Sequence, residues 1–109
     1  ITLEQAYFIG DCISESFASN ASGQVQVFLD GVKPHGTFAR VEFPTLMLNE
    51  KISHFLVCDY QSGEKCDGVP EPQIMSKPEF KAYMHKKLNG QLTRTHATKA
   101  MCKQQGPFL

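Results

Sequence analysis

The chain lacks the long hydrophobic runs of membrane-spanning segments and the cysteine spacing of common zinc sites. No apolar stretch approaches the roughly 18–20 residues that a membrane-crossing helix needs, so we expect no membrane span. No C-x-x-C motif occurs among the four cysteines, which argues against zinc. No internal repeat or low-complexity tract is present either. We therefore expect neither a bound metal nor a cofactor.

The chain is short and shows no basic-then-apolar leader at its start. Its 109 residues suit a single domain, 1–109, whose modest core needs additional crosslinks. An even number of cysteines in such a short chain suggests disulfides made in an oxidising compartment. The sequence thus predicts a mature secreted domain whose leader has been removed.

Four cysteines allow three disulfide pairings, which the sequence alone does not separate. A crosslink that closes a long loop constrains the unfolded chain more than one that closes a short loop, and chain ends need tying down. On these grounds we predict that Cys12 pairs with Cys102 and Cys58 with Cys66.

Charge is divided unevenly along a chain of zero net charge. Residues 1–75 hold four basic residues against ten acidic ones, a net of −6, whereas residues 76–109 hold seven basic residues against one acidic residue, a net of +6. Such a division can mark a surface for phosphates or an acidic partner, or simply a solvated basic face on an acidic domain. The basic residues that would contact RNA phosphates are Lys81, Lys86, Lys87, Arg94 and Lys99.

Hydrophobic periodicity predicts an α+β domain. Alternating apolar residues predict strands at 24–31, 37–43 and 52–60. The i, i+4, i+8 spacing of Ile13, Phe17 and Ala21 predicts a short helix over 11–23 with these residues on its apolar, buried face. The expected architecture is an antiparallel sheet with one packed helix and a C-terminal helix, held by disulfides.

The clearest local signal is the C-terminal helix in "SKPEFKAYMHKKLNG". Ser76 and Glu79 form a capping box, Pro78 falls in the tolerant first turn, and Gly90 ends the helix. Its apolar stripe consists of Phe80, Met84 and Leu88, with Tyr83 beside it.

A histidine and a glutamate flank the predicted strand at 37–43. On that strand Glu42 would share a face with Arg40, and Gly36 would permit a bend that brings His35 toward them. A carboxylate near an imidazole can act as a general base toward a hydroxyl. The spacing alone favours the simpler alternative, an ordinary surface pair of Arg40 and Glu42.

The order of "KPHGTF", "VEFPTL", "ISHFLVCDY" and "LTRTHATKAMC" resembles the fungal guanyl-specific ribonucleases, the ribotoxins of the sarcin type and the ribonuclease-like effectors of plant-pathogenic fungi. The early "YFIGDC" is similar to the entry segment of those effectors, whose first and last cysteines are joined. The resemblance implies that His35 is the first catalytic histidine, Glu42 the general base and His96 the general acid.

His54 stands where that family has an arginine at the head of the next strand. A neutral imidazole cannot replace the permanent, forked charge of arginine toward a phosphate, although Arg40 could partly substitute for it. The resemblance therefore implies a pseudo-ribonuclease: a secreted virulence or avirulence effector that binds a host protein, a plant immune receptor or RNA, with delivery into host cells as a further expectation. Arg40 and His54 would contribute to this binding.

A second resemblance is to the MAX effectors of fungi, which are six-stranded β-sandwiches. Cys12 and Cys58 approximate the cysteine spacing of that family, and the C-terminal helix would be an appended element. A sandwich of this kind would bind a host protein through an exposed strand edge. Three hypotheses thus stay open: a non-catalytic effector, an active ribonuclease, and a β-sandwich binding module.

Overall fold

The predicted α+β class is confirmed in the computed structural model, whose described residues contain both helices and strands. The structure describes residues 1–61, 65–66, 69–91 and 102. His96, Arg94 and Lys99, predicted to act in catalysis or binding, lie outside these residues.

The central sheet has three strands, and its middle strand is β2 (Ile52–Asp59). Strand β1 (Gly23–Leu29) runs parallel to β2, whereas β5 (Gln73–Met75) runs antiparallel to it. The predicted antiparallel sheet is therefore wrong, because the sheet is mixed. A separate antiparallel ribbon joins β3 (Lys65–Cys66) to β4 (Val69–Pro70).

The segment predicted as a strand at 37–43 is helical. It forms a π-helical turn, Phe38–Glu42, hereafter the π turn, which continues into helix α2 (Phe43–Leu48). Pro44 lies in the first turn of α2, where a missing amide donor costs nothing. Parallel strands cannot be joined by a hairpin and need a crossover, usually helical, and this segment supplies the crossover between β1 and β2.

Helix α1 (Leu3–Asn20) begins eight residues before residue 11, where the sequence predicted the helix to start. Its N-cap is Thr2, which forms a capping box with Gln5. At its other end, the buried side-chain amide of Asn49 donates to the carbonyl oxygens of Ala18 (2.9 Å) and Ala21 (2.8 Å). These contacts fix the end of α1 against the turn that follows α2.

Helix α3 (Lys77–Lys87) confirms the prediction made for this segment. Ser76 and Glu79 form the expected capping box. Asn89 adopts a left-handed conformation (φ 52°), and the amide of Gly90 donates to the carbonyl of His85 at 2.8 Å, which is the arrangement of a Schellman motif.

Three aromatic rings join the helices to one face of the sheet. Phe80 of α3 lies with its ring centroid 4.5 Å from that of Phe55 on β2 and 5.6 Å from that of Phe43 on α2. Helices α2 and α3 therefore pack on the same side of the sheet, and α1 packs against the crossover. The opposite face carries exposed Phe28 and Ile74.

The β-sandwich architecture is not found in the part of the chain that the structure describes. The segment 37–43, which was predicted to be a strand, lies in the crossover, and residues 3–20 form α1. The three-stranded sheet is covered by helices on its inner face instead of by a second sheet.

One of the two predicted disulfides is confirmed. Cys12, in the middle of α1, is joined to Cys102, with their Cα atoms 5.5 Å apart. The predicted pairing of Cys58 with Cys66 is wrong, because Cys58 is a buried free thiol. Cys58 lies in the central strand beside Phe28 of β1, where it packs as a small hydrophobic residue.

Candidate functional site

Two of the predicted acid–base residues, His35 and Glu42, share no hydrogen bond in the described part of the chain. His35 is exposed in a turn in which the Gly36 amide donates a hydrogen bond to the Lys33 carbonyl (3.0 Å). Glu42 is the last residue of the π turn and is partly buried. Among the described residues, no hydrogen bond or ion pair joins Glu42 to a histidine. The strand argument that placed Glu42 beside Arg40 fails, since this segment is helical.

Arg40 is held by helix α1. Its two terminal nitrogens contact the two carboxylate oxygens of Asp11 at 2.7 and 2.9 Å, and both side chains are largely buried. The hydrogen bond to Asp11 raises the pKa of Arg40. The guanidinium is therefore committed to the α1–π turn contact instead of facing a ligand phosphate.

His54 projects from the outer face of the sheet. Its two ring nitrogens lie 2.8 Å from the Ser53 hydroxyl and 3.0 Å from the side-chain oxygen of Gln24 on β1. The ring thus connects β1 and β2 on the face opposite to the one that carries the helices.

Only part of the predicted basic surface is free in the described region. Lys87 pairs with Asp59 at 2.5 Å, and Lys77 donates to the Asn49 carbonyl at 2.6 Å. Lys81 and Lys86 are exposed on α3.

Asp59 is the centre of a buried polar cluster at the end of β2. It accepts hydrogen bonds from Lys87, the Tyr83 hydroxyl and the Gln61 amide. Burial raises the pKa of Asp59, but these hydrogen bonds together outweigh it and hold the pKa below its ordinary value. Burial and the bond to Asp59 raise the pKa of Tyr83 to about 12. A phenol with so high a pKa is poorly suited to proton transfer, and the cluster fixes α3 to the sheet.

A groove of about 380 Å³ follows strand β1. Every residue from Val25 to Leu29 contributes to it, so the groove runs along the edge of the strand, not along one face. Its other wall consists of Phe17 from α1, Phe38 and Glu42 from the π turn, and Leu46 from α2. A second groove, which shares Phe17 and Val25, continues it past the beginning of β1.

Strand β1 presents unpaired backbone groups to this groove. The Gly23 amide donates to Lys51 (2.9 Å) and the Leu29 carbonyl accepts from Tyr60 (2.8 Å), so the odd-numbered residues face β2. The amide and carbonyl groups of successive residues point to opposite edges of a strand. The backbone groups of the even-numbered residues Gln24, Gln26 and Phe28 therefore point away from β2. Within the described residues, β1 pairs only with β2.

Glu42 places a carboxyl group in this largely apolar groove. Burial raises the pKa of its carboxyl, and a hydrogen bond from Ser14 partly offsets that effect. The ion pairs among the described residues are Arg40–Asp11 and Lys87–Asp59, so in this part of the chain no cation pairs with Glu42.

Helix α1 is oriented against the sequence prediction. Ile13 and Phe17, predicted to be buried, are 65% and 69% exposed, whereas Asp11 and Glu15 are buried. Four large apolar side chains of α1 are thus exposed, hereafter the α1 stripe: Leu3, Tyr7, Ile13 and Phe17. Phe17 also lines the groove, and exposed apolar surface at a groove is typical of an interaction site.

Sequence reasoning identified β1 as a strand but missed its free edge. The glutamines at 24 and 26 alternate with Val25 and Val27, which indicates one solvated face. No local pattern distinguishes an edge strand from a central one here, because that depends on strand order.

The described residues contain no group of three or more His, Cys, Asp or Glu side chains that could hold a metal ion. No helix among them combines the length and the apolar character required to cross a membrane. Comparison of the chain with protein-family models, with curated proteins and with solved structures found no match.

Proposed function

We propose that this domain is a non-catalytic protein-binding module that adds an extended segment of another protein to the free edge of β1. The observation that carries the proposal is the groove along that edge, where backbone groups of Gln24, Gln26 and Phe28, unpaired within the described residues, meet an apolar wall. Strand addition uses these two features together: main-chain hydrogen bonds provide affinity, and alternate side chains occupy the groove.

The lengths of the two outer strands favour β1 over β5 as the binding edge. β1 has seven residues and β5 has three. A longer edge offers more main-chain hydrogen bonds, each with a net contribution of about 1 kcal/mol. Phe17, at the end of the α1 stripe, adds an exposed aromatic contact to the β1 groove.

The geometry of the predicted catalytic residues supports binding over hydrolysis. Arg40 is paired with Asp11, and among the described residues no histidine hydrogen-bonds to Glu42, whose pKa reflects a hydrogen bond from Ser14. Hydrolysis of RNA should therefore be absent or weak. Robust cleavage of guanosine-containing dinucleotides, abolished by both Glu42→Gln and His35→Ala, would make the ribonuclease hypothesis the leading one.

The biological setting stays the one predicted from sequence: a secreted effector of a plant-pathogenic fungus whose partner is a host protein or immune receptor. The Cys12–Cys102 disulfide supports an oxidising compartment for the folded domain. Strand addition gives this proposed effector a physical means of holding a host protein.

RNA is the competing ligand, through the basic residues of α3 and of the following segment. Two of the predicted contacts, Lys81 and Lys86, are exposed in the described region, and Lys87 is held by Asp59. If RNA binds, its affinity should fall with salt at a log–log slope of roughly −0.7 for each phosphate contact. Fluorescence anisotropy with single-stranded RNA at several salt concentrations measures this slope.

The test of strand addition is a selection of linear peptides from a random phage-displayed library against the disulfide-bonded protein. The selected peptides should bind the Gln26→Ala variant normally, because its edge amide remains. They should lose at least about fivefold in affinity for Gln26→Pro, which lacks one edge donor.

A peptide control keeps the test decisive should Gln26→Pro fail to fold. N-methylation at alternate peptide residues, which removes only the donors facing β1, should abolish binding to the unmodified protein, while methylation at the intervening residues should not. Equal effects at both sets of positions, or failure to select any binding peptide, would overturn the proposed function.

A further inference from the structure

We infer that the segment bound along β1 carries a lysine or arginine that pairs with Glu42. This inference rests on the proposed function and specifies the chemistry of the partner. It follows from the charges of the groove, the hydrogen bonds of Glu42 and the position of the apolar side chains around it.

The charged side chains among the described residues of the groove lining are all acidic. Glu42 stands on the wall opposite the strand, Asp30 lies at the end of β1, and the described lining contains no basic residue. An extended segment entering the groove therefore meets negative charge at two places. Charge complementarity of this kind selects a basic partner and disfavours an acidic one.

Glu42 is the acidic residue that a partner would desolvate most. It is already partly buried, and its hydrogen-bond donor is the hydroxyl of Ser14, a neutral group. Its neighbour Arg40 makes two hydrogen bonds to Asp11 and is unavailable. A strand laid over the groove would remove more water from the Glu42 carboxylate, and burial of a charge without a counter-charge is strongly unfavourable. A cationic side chain on that strand would offset the cost with a charge-assisted hydrogen bond.

The surroundings of Glu42 also predict the neighbours of the basic residue. Side chains two residues apart on an added strand point to the same side. On the helical side of the groove they would meet Phe17, Phe38 and Leu46 in addition to Glu42. The preferred segment is thus an extended one with a lysine or arginine at one position and apolar residues two positions before and after it.

The first experiment compares peptide selections. Linear phage-displayed peptides selected on the wild-type protein should be enriched in a basic residue flanked at ±2 by apolar residues. Selection on Glu42→Gln should lose the basic enrichment and keep the apolar pattern. Glu50→Gln is the matched control, because it removes the same charge at an exposed residue outside the groove lining.

The second experiment measures the pair directly with one selected peptide. Replacing its basic residue with norleucine should weaken binding to the wild type and to Glu50→Gln about tenfold, and should leave binding to Glu42→Gln unchanged. Replacing it with glutamate should weaken binding to the wild type further. This last comparison uses only unmodified protein, so it holds even if Glu42→Gln folds poorly.

The outcomes separate this inference from the proposed function. One outcome would overturn the pairing with Glu42 and leave strand addition standing. In that outcome the selected peptides bind and respond to N-methylation at alternate positions, but they show no enrichment in basic residues. An equal loss for norleucine with wild type and Glu42→Gln would overturn the pairing in the same way. Failure to select any peptide would overturn strand addition itself.

Discussion

Helices α1 and α3 bury opposite kinds of side chain. α3 buries Phe80 and Met84 and leaves Lys81 and Lys86 exposed, whereas α1 buries Asp11 and Glu15 and leaves Phe17 exposed. α3 is therefore held mainly by the hydrophobic core, with the Lys87–Asp59 pair as a polar contact. α1 is held by directional links: the Asp11–Arg40 pair, the Asn49 amide and the disulfide at Cys12. A helix attached through its polar side is able to present an apolar side, and in α1 that side places Phe17 at the groove that we propose as the binding site.

The largest expected effect is that of opening the disulfide. Cys12 and Cys102 are 90 residues apart, and a crosslink over such a loop stabilises the fold by roughly 4–5 kcal/mol in the chain-entropy model. Urea denaturation of the Cys12→Ser/Cys102→Ser variant should show that loss in the free energy of unfolding. Adding reductant to Cys58→Ala should cause the same loss as in wild type, because Cys58 is free. A change below about 1 kcal/mol would mean that α1 is held without its crosslink.

Substitution of one phenylalanine on each helix tests the comparison directly. Phe80→Ala should lower the free energy of unfolding by about 4 kcal/mol, because its ring is fully buried against Phe55 and Phe43. Phe17→Ala, at a residue that is 69% exposed, should change it by less than about 0.5 kcal/mol and should weaken binding of peptides to the groove. Chemical denaturation and peptide titration measure the two effects. Similar stability losses at both sites would show that Phe17 belongs to the core.

The polar anchor of α3 should depend on pH. Asp59→Ala leaves Lys87 and the Tyr83 hydroxyl without their acceptor and should cost about 3 kcal/mol at neutral pH. Folding lowers the pKa of Asp59, so its contribution is complete above the ordinary pKa of about 3.9 and is lost as pH falls through the lower folded value.

The contribution of Tyr83 to stability has the opposite pH dependence. Because folding raises the pKa of Tyr83 to about 12, its contribution is complete below about pH 10 and is lost as pH rises toward 12. Denaturation at several pH values checks both limbs, and tyrosinate absorbance follows Tyr83. Equal acid dependence in wild type and Asp59→Ala would contradict the assignment to Asp59.

The smallest of these effects concerns the ion pair of α1. Arg40→Leu should lower the free energy of unfolding by about 2 kcal/mol, because Asp11 would lose two charged hydrogen bonds while staying largely buried. Asp11→Leu combined with Arg40→Leu should recover part of the loss, since no unpaired charge remains. Lys33→Leu, at an exposed residue of the preceding turn, is the control. Additive losses in the double variant would show that the two side chains are not coupled.

The two helices also differ in how well the sequence predicted their buried faces. Ser76, Glu79 and Gly90 bracket α3, and its buried stripe was named correctly from spacing, because caps and i, i+4 contacts involve residues close in sequence. The helix over 11–23 was predicted with the wrong buried face. Its i, i+4 apolar pattern is real, but it faces solvent because Asp11 is paired with Arg40, 29 residues away.

The candidate site was only partly predictable for the same reason. The sequence predicted Glu42 as a site residue and placed Arg40 beside it on a strand. In the structure the hydrogen-bond partner of Glu42 is instead Ser14 of α1. The alternation in "TFARVEF" fits a strand, yet the parallel pairing of β1 with β2 requires a crossover there. Pattern alone does not decide between the two.

The sequence by itself determined the helix at Ser76–Gly90, the strands that begin near Gln24 and Ile52, and a chain length that favours a crosslink. Local caps, turn residues and side-chain period suffice for these. Tertiary structure alone decided the parallel order that leaves one edge of β1 unpaired within the described residues, the outward α1 stripe, and the placement of Glu42 without a cation in the described groove. Each of these depends on contacts between residues distant in sequence, whose free energy no short pattern records.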